Sequence, residues 1–242
     1  VMEDLCDLTM VDQAAGMSER QALAAVRVLA RIHAVWWNKV QVDELDWIPS
    51  MNGPRIEYVD QVLPEIYPAY AATFEEGLPT GGAELLQKFS KSYLKLNTSL
   101  AERAPWTLAH QDFRVENMLF GNPENDEVVV IDWQGIGRGP GVYDLAYLLG
   151  GSMEIELRRE NEKTLVASYH DELCSNGVEG YSFDSAWDDY GYAHLIGGLA
   201  TSVFAGGTLD LSNERGKELI SMMSERHVTA ALDHGGVEQN LP

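Results

Sequence analysis

The spacing of apolar residues divides the chain into a helical first part, a short β-rich centre and a helical second part. Ser18 and Gln21 have the spacing of a capping box, and apolar residues then recur at helical intervals. This pattern predicts a helix over about 18–37, and the same periodicity predicts a second long helix over about 82–103. The apolar positions of the second helix are Leu85, Phe89, Tyr93, Leu96 and Leu100.

The segment between these two helices, residues 47–80, is rich in proline. Proline lacks a backbone donor and disrupts helix interiors, so we expect this segment to be broken by turns. A short helix is predicted only around 56–63. The prolines of the segment are Pro49, Pro54, Pro64, Pro68 and Pro79.

The pattern changes to short extended runs at Trp106–Ala109, Met118–Phe120 and 128–131. The last two runs flank turn-forming residues at 121–126, which predicts a β-hairpin. After Gly141 the chain reads as helical to the end, with glycine-rich sequence at 135–141 predicted to be a loop. The predicted helices cover about 142–150, 154–175, 184–205 and 213–232, and residues 233–242 are predicted to be a disordered tail.

Residues that suit phosphoryl transfer lie at the two ends of this hairpin. Residues 110–117, called the catalytic loop below, read His-Gln-Asp-Phe-Arg-Val-Glu-Asn. Residues 131–134, called the metal segment, read Ile-Asp-Trp-Gln. Transfer of a phosphoryl group from a nucleotide needs one carboxylate to orient the attacking hydroxyl, and an amide and a second carboxylate to hold magnesium. Because the hairpin returns Asp132 to the side of Asn117, we predict these two as Mg²⁺ ligands and Asp112 as the catalytic base.

Each of these residues also has a purely structural interpretation. Asp112 and Asn117 could be turn formers at a hairpin, with Asp132 ending a strand. The pairing of the two motifs across one hairpin favours the catalytic interpretation. Beside the base, His110 could act in catalysis or hold the loop by a side-chain hydrogen bond, and the second role is favoured. Arg114 could contact the transferred phosphate or form a surface salt bridge.

Three further groups of residues allow two interpretations. Asp144, at a loop-to-helix junction, either interacts with the helix dipole or ties that helix to the catalytic loop, and we favour the second role. Six aromatic residues could form a pocket for a cationic or ring-shaped substrate, although core packing is the favoured explanation. They are Trp36, Trp37, Trp47, Trp187, Tyr190 and Tyr192. The acidic residues Asp184, Asp188 and Asp189 could bind an amine, but a solvated helix face is favoured.

Composition and charge narrow the class of protein. With 242 residues, 45% of them hydrophobic and 23% charged, the chain can bury a large globular core. Its 17 basic and 38 acidic residues give a formal net charge of −21, which disfavours nucleic acid or an anionic membrane as the main partner. The sequence contains no apolar run long enough to span a bilayer, so we expect a cytoplasmic protein. Its two distant cysteines are expected to be reduced thiols rather than a disulfide.

Together these motifs resemble the aminoglycoside phosphotransferase and choline kinase-like superfamily. The resemblance runs from Val1 to about residue 205. Besides the two motifs it rests on residues 29–34, Leu-Ala-Arg-Ile-His-Ala, on Gly-Pro-Gly at 139–141 and on Asp-Leu-Ala at 144–146. Trp133-Gln134, where protein kinases have Phe-Gly, resembles the ecdysteroid kinase-like branch. The resemblance implies an α+β, protein-kinase-like fold: a mostly helical C-terminal lobe with a small catalytic β-hairpin, the N-terminal β-lobe being absent from this chain.

The same resemblance implies a small-molecule kinase that uses ATP or GTP with Mg²⁺. Residues 1–5 would be a hinge remnant, with Met2, Glu3 and Leu5 meeting the nucleotide base. Residues 6–232 would form the C-terminal lobe, with the catalytic loop and metal segment at 108–144. Lacking the N-terminal lobe, this chain alone is expected to be nearly inactive.

Two other functions are compatible with the motifs. A degenerate kinase-like module would bind a ligand or partner without catalysis, but retention of the base and both metal ligands disfavours it. A protein kinase is disfavoured because no activation segment with an Ala-Pro-Glu anchor follows Asp132. A small hydroxylated acceptor is therefore expected. Aminoglycosides, choline-like amines, macrolides, sugars and lipid or sterol alcohols all fit the motifs equally.

Overall fold

The computed structural model describes residues 5–122 and 127–236, and these contain nine α-helices and five β-strands. The helices are α1 (Glu19–Trp36), α2 (Pro54–Phe74), α3 (Gly82–Phe89), α4 (Tyr93–Arg103), α5 (Val142–Ser152), α6 (Ile155–Ser175), α7 (Phe183–Ala193), α8 (Gly197–Thr208) and α9 (Glu214–Asp233). The strands are β1 (Thr9–Met10), β2 (Trp106–Ala109), β3 (Met118–Phe120), β4 (Val128–Val130) and β5 (Gly137–Pro140).

The strands form two small antiparallel sheets that frame the catalytic loop. One sheet has the order β1-β3-β4, and its pairing of Met118 with Val130 confirms the predicted hairpin. The other sheet pairs β2 with β5. The prediction of a loop over 135–141 is therefore wrong for Gly137–Pro140. Its Gly-Arg-Gly-Pro sequence has low strand propensity, and pairing with β2 is what makes this segment a strand.

The first predicted helix is confirmed as α1. Ser18 accepts a hydrogen bond from the Gln21 backbone N–H, and the Gln21 side chain accepts one from the Ser18 N–H. These reciprocal bonds are the capping box that the sequence predicts. The buried face of α1 packs mainly against α6 and also contacts α5.

The proline-rich segment is a long helix, and the prediction that it is broken by turns is wrong. The helix α2 begins with Pro54 at its first position, where proline is well tolerated, and continues through Pro64 and Pro68. These two prolines are four residues apart and both are exposed, so the missing hydrogen bonds fall on the solvent side, where water can replace them. The opposite face packs closely on α8, since a Cβ at Gly207 would lie 2.2 Å from Ile66 Cγ2.

Two predicted long helices are each interrupted by a tight turn. The helix predicted over 82–103 is α3 followed by α4, because the Ser92 N–H bonds to the Phe89 carbonyl 2.9 Å away and turns the chain. The helix predicted over 184–205 is likewise α7 followed by α8, with an equivalent bond of 3.0 Å from the Leu195 N–H to the Tyr192 carbonyl. This second turn directs His194 into the interior, where it is 3% exposed.

The centre of the molecule is α5, of which every residue is buried. It contacts α1, α6, α7, α8 and α9. A side chain at the N-terminus of α5 is therefore anchored to most of the helices. The predicted tail over 233–242 is wrong in its first residues. Asp233 is the last residue of α9 and forms ion pairs with Arg158 and Arg159, while residues 237–242 lie outside the described part.

Two simpler expectations also have an outcome in the structure. No helix among the described residues is long and apolar enough to cross a membrane. Both cysteines, Cys6 and Cys174, lie within the described residues, and no disulfide joins them.

Candidate active site

The catalytic loop leaves β2 and is held by Asp144, a fully buried residue in the first turn of α5. One carboxylate oxygen of Asp144 accepts the backbone N–H of His110 at 2.6 Å, and the other accepts that of Gln111 at 2.8 Å. Gln111 has a left-handed φ of 65°, which few non-glycine residues adopt. The two hydrogen bonds hold this unusual turn, and they confirm the prediction that Asp144 ties its helix to the loop.

A second layer of buried groups fixes Asp144. The His33 Nε2 atom lies 3.3 Å from Asp144, and its Nδ1 atom lies 2.8 Å from the Tyr169 hydroxyl. Burial, with the charge of Asp144 adding to it, raises the pKa of Tyr169 well above its ordinary value, so this hydroxyl keeps its proton. His33 thus has a polar partner at each ring nitrogen. These side-chain contacts connect α5 with α1 and α6.

His110 connects the catalytic loop to the metal segment. Its Nε2 atom lies 2.9 Å from the Ile131 carbonyl, and its Nδ1 atom accepts the Asp112 backbone N–H at 3.3 Å. The side chain is buried, and its ring packs against Trp133 at 4.8 Å. Both ring nitrogens of His110 are thus engaged by the backbone, as the loop-holding role favoured from the sequence requires.

The side chain of Asp112 is about one-third exposed and is surrounded by donors. The Asn117 Nδ2 group donates to its Oδ2 at 2.9 Å, and the Tyr147 hydroxyl donates to its Oδ1 at 3.3 Å. The Arg114 Nε atom also lies 3.3 Å from Oδ1. A carboxylate has about four lone-pair sites, so these contacts leave it able to accept one further hydrogen bond.

Arg114 is the cation of this site. It forms ion pairs with both Asp112 and Glu116, and its side chain is 25% exposed. Burial alone would lower the pKa of Arg114, but the charges of Asp112 and Glu116 outweigh it and raise that pKa. The structure shows the salt bridges that the sequence allows, and contact between Arg114 and the transferred phosphate stays a prediction.

Tyr147 is a site residue that sequence reasoning missed. It lies on α5 one turn after Asp144, so both side chains point from the same helix face towards the catalytic loop. Burial raises the pKa of Tyr147 above its ordinary value, so the hydroxyl is a stable donor to Asp112. The only sequence signal was this spacing of three residues from a residue already assigned to the loop.

The metal segment is held beside Asn117 through the backbone. The Ile131 N–H donates to the Asn117 carbonyl at 3.0 Å, which places the next residue, Asp132, near the point where the 3₁₀ turn Val115–Asn117 ends and strand β3 begins. Asp132 has a left-handed φ of 62° and an exposed side chain. The Asn117 amide nitrogen is used by Asp112, so Asn117 offers its side-chain oxygen, and Asp132 offers a carboxylate. Two oxygen ligands of this kind suit a hard divalent cation.

Two glycines that follow the metal segment allow the chain to pack against the catalytic loop. A Cβ at Gly137 would lie 1.7 Å from the Gln111 Nε2 atom, and one at Gly135 would lie 3.0 Å from the His110 carbonyl oxygen. A side chain at Gly137 would therefore require the Gln111 side chain to move, and it would also crowd the Pro49 carbonyl oxygen 3.2 Å away. The glycine-rich sequence after Asp132 is a packing requirement of the site.

The remaining predicted groups lie elsewhere. Met2 and Glu3 fall outside the described residues. The Leu5 carbonyl accepts the Leu8 N–H and so begins a turn, which means that the predicted hinge strand does not include Leu5. The six aromatic residues do not share a pocket, since Trp37 is buried and Trp47 is 76% exposed. Asp189 is not solvated but buried.

Asp189 is paired rather than open to a ligand. It accepts a hydrogen bond of 3.0 Å from the Tyr181 hydroxyl and forms an ion pair with Arg103. Burial raises its pKa in spite of these partners. Asp184 and Asp188 are exposed, as the solvated-face interpretation predicts.

Comparison with known proteins connects this geometry to kinases. The ecdysteroid kinase-like family model matches residues 1–177. An uncharacterized kinase-like protein of Caenorhabditis elegans is 23% identical over 202 residues, which is 81% of this chain and 52% of that protein. The chain thus spans about half the length of the curated relative it matches.

Two solved structures share the fold. Plasmodium vivax ethanolamine kinase superposes on 93% of this chain and 62% of its own length, with a TM-score of 0.53 at 15% identity. Amicoumacin kinase, solved with AMP-PNP, Ca²⁺ and Ami, superposes on 92% of this chain and 68% of its own, with a TM-score of 0.52 at 12% identity. The kinase-like fold implied by the sequence is therefore confirmed.

Proposed function

The chain belongs to the ecdysteroid kinase-like family, and on that premise we propose that it transfers the γ-phosphate of a nucleoside triphosphate to a hydroxyl group of a small molecule. The observation that carries this proposal is the environment of Asp112. Its carboxylate is partly exposed, is oriented by Asn117 and Tyr147, and keeps room for one more hydrogen bond. The nucleotide and divalent cation bound to amicoumacin kinase are consistent with the same chemistry.

In the proposed mechanism, Asp112 accepts a hydrogen bond from the acceptor hydroxyl and thereby aims its oxygen at the γ-phosphorus. The bond from that oxygen to phosphorus forms as the bond to the bridging oxygen of the nucleotide breaks, and the hydroxyl proton passes to Asp112. Arg114 is close enough to Asp112 for its guanidinium to attract the transferred phosphoryl group. The leaving group is the nucleoside diphosphate.

Asn117 and Asp132 would hold Mg²⁺ through side-chain oxygens. Mg²⁺ held there would supply positive charge that offsets the repulsion between the nucleotide phosphates and a chain of net charge −21. Asn117 also donates to both the backbone carbonyl and the carboxylate of Asp112, so one residue links the base to the metal ligands. His110 and Asp144 act as positioning residues that set the spacing between Asp112 and Asp132.

The metal role of Asp132 predicts a magnesium-dependent change in nucleotide affinity. Asp132→Asn is expected to weaken ATP binding in Mg²⁺ by on the order of 10–100-fold, because a neutral amide is a weaker ligand for a hard cation. Calorimetry with and without EDTA measures this change, and Asp171→Asn, which changes an exposed aspartate of α6, is the matched control. Equal loss of affinity in EDTA would show that Asp132 does not act through the metal.

The role of Tyr147 predicts a smaller kinetic effect. Tyr147→Phe removes one hydrogen bond to Asp112 and keeps the buried ring, so kcat is expected to fall by about 2–12-fold, the equivalent of 0.5–1.5 kcal/mol. Steady-state assays of nucleoside diphosphate release with hydroxylated acceptors measure this effect. An unchanged kcat would mean that the Tyr147 hydroxyl does not orient the base.

A further inference from the structure

Three side chains with metal-binding atoms converge in the helical body, away from the residues of the catalytic loop. Glu162 lies on α6, His194 follows the last residue of α7, and His234 follows the last residue of α9. One ligand atom from each lies within 4.8 Å of the other two, and the Glu162 Oε1 and His234 Nε2 atoms are 3.2 Å apart. We propose that Glu162, His194 and His234 bind a Zn²⁺ ion that joins these three helix segments.

His194 provides an independent indication that this cluster binds a ligand. The side chain is 3% exposed, and neither of its ring nitrogens has a hydrogen-bond partner. Buried polar atoms almost always have a partner, so a histidine with two orphaned nitrogens requires an explanation. Either nitrogen of this ring can therefore serve as the metal ligand.

Glu162 is oriented so that one oxygen remains for the ion. Its Oε2 atom accepts hydrogen bonds from Arg158 Nη1 at 2.6 Å and from the Tyr190 hydroxyl at 3.0 Å. Its Oε1 atom faces His234. Partners that fix a carboxylate in this way are typical of the surroundings of bound metals.

The local charge also permits a cation. Arg158 is almost fully buried beside Glu162, and alone it would oppose a second positive charge. It forms a close ion pair with Asp233 as well, so its charge is shared between two carboxylates. The rings of Tyr190 and Trp187 pack against His234, each with its centroid 5.3 Å away, and shield the cluster from bulk water. A shielded site strengthens the attraction between Glu162 and a bound ion.

The donor set determines which ion fits. Two imidazole nitrogens and one carboxylate oxygen suit Zn²⁺, which takes four ligands in a tetrahedron, with water able to supply the fourth. Mg²⁺ and Ca²⁺ prefer oxygen ligands throughout and would favour Asn117 and Asp132 instead. Because the three ligands come from α6, the α7–α8 turn and the end of α9, the ion would serve to stabilise the fold.

The test is zinc binding by the purified 242-residue chain after removal of metal with a chelator. We expect one equivalent of Zn²⁺ to bind, to raise Tm until one equivalent is reached, and Co²⁺ in its place to give the visible absorption bands of a tetrahedral site. His234→Gln and His194→Gln are each expected to weaken Zn²⁺ affinity by at least about 100-fold. His234 is partly exposed, so its variant is expected to fold even if the His194 variant does not.

Two control variants make the result specific. His170→Gln changes a histidine on α6 that lies outside the cluster. Asp132→Asn changes the metal segment of the candidate active site. Both should keep the zinc site. The proposal is overturned if the folded chain binds no stoichiometric Zn²⁺, if His234→Gln retains it, or if Asp132→Asn loses it while His234→Gln does not.

Discussion

Asp112→Asn is expected to lower kcat for phosphotransfer by about 10²–10⁴-fold, the usual contribution of a general base, with little change in nucleotide affinity. The variant side chain has the same shape but cannot take the proton of the acceptor hydroxyl. Its amide oxygen can still accept the Asn117 Nδ2–H, which donates to the present carboxylate at 2.9 Å. The loop geometry should therefore persist while the proton acceptor is lost.

The measurement is a comparison of kcat and nucleotide Kd in a protein carrying this chain, with Asp171→Asn as the control for a distant aspartate. A large fall in kcat at constant Kd supports the base. A fall of less than about tenfold would assign the proton to another group, since general-base catalysis contributes more than that. If neither the unmodified protein nor the variant turns over and both bind a ligand equally, the degenerate binding module is the better description.

Features governed by local sequence were predictable. The capping box of α1 and the β3–β4 hairpin follow from short-range patterns that tertiary contacts do not override. The role of Asp144 was also accessible, as the favoured one of the two roles that its position at a loop-to-helix junction allows. In each of these cases the interacting groups either lie near one another in sequence or belong to a motif of fixed spacing.

Features decided by tertiary packing were not predictable. The helix α2 continues through two prolines because its apolar face packs on α8, a segment more than 120 residues later. The turn at 194–196 likewise has no strong breaker before Gly197, and only the structure shows that it buries His194. The role of Tyr147 depends on how α5 meets the catalytic loop, and the cluster around Glu162 depends on how helices meet. Helix periodicity gives no information about either contact.

Asp144→Ala is expected to lower the free energy of unfolding by about 2–6 kcal/mol. The reason is that two buried backbone donors, those of His110 and Gln111, lose their acceptor at about 1–3 kcal/mol each. His33 loses its partner as well, so the substitution also disturbs the contact between α1 and α5. Without these bonds the left-handed conformation of Gln111 is no longer held, and kcat is expected to fall although Asp144 contacts no substrate.

Urea denaturation followed by far-UV circular dichroism measures this loss, with Asp60→Ala as a matched control. Asp60 also accepts a backbone N–H, that of Leu94 at 2.8 Å, but it is only partly buried and holds one donor. Its replacement is expected to cost about 1 kcal/mol. Equal losses of unfolding free energy for the two variants would show that Asp144 contributes no more to stability than Asp60 does. A much larger loss for Asp144→Ala, with kcat reduced at temperatures where the variant is still folded, would show that one buried carboxylate supports both the fold and the catalytic loop.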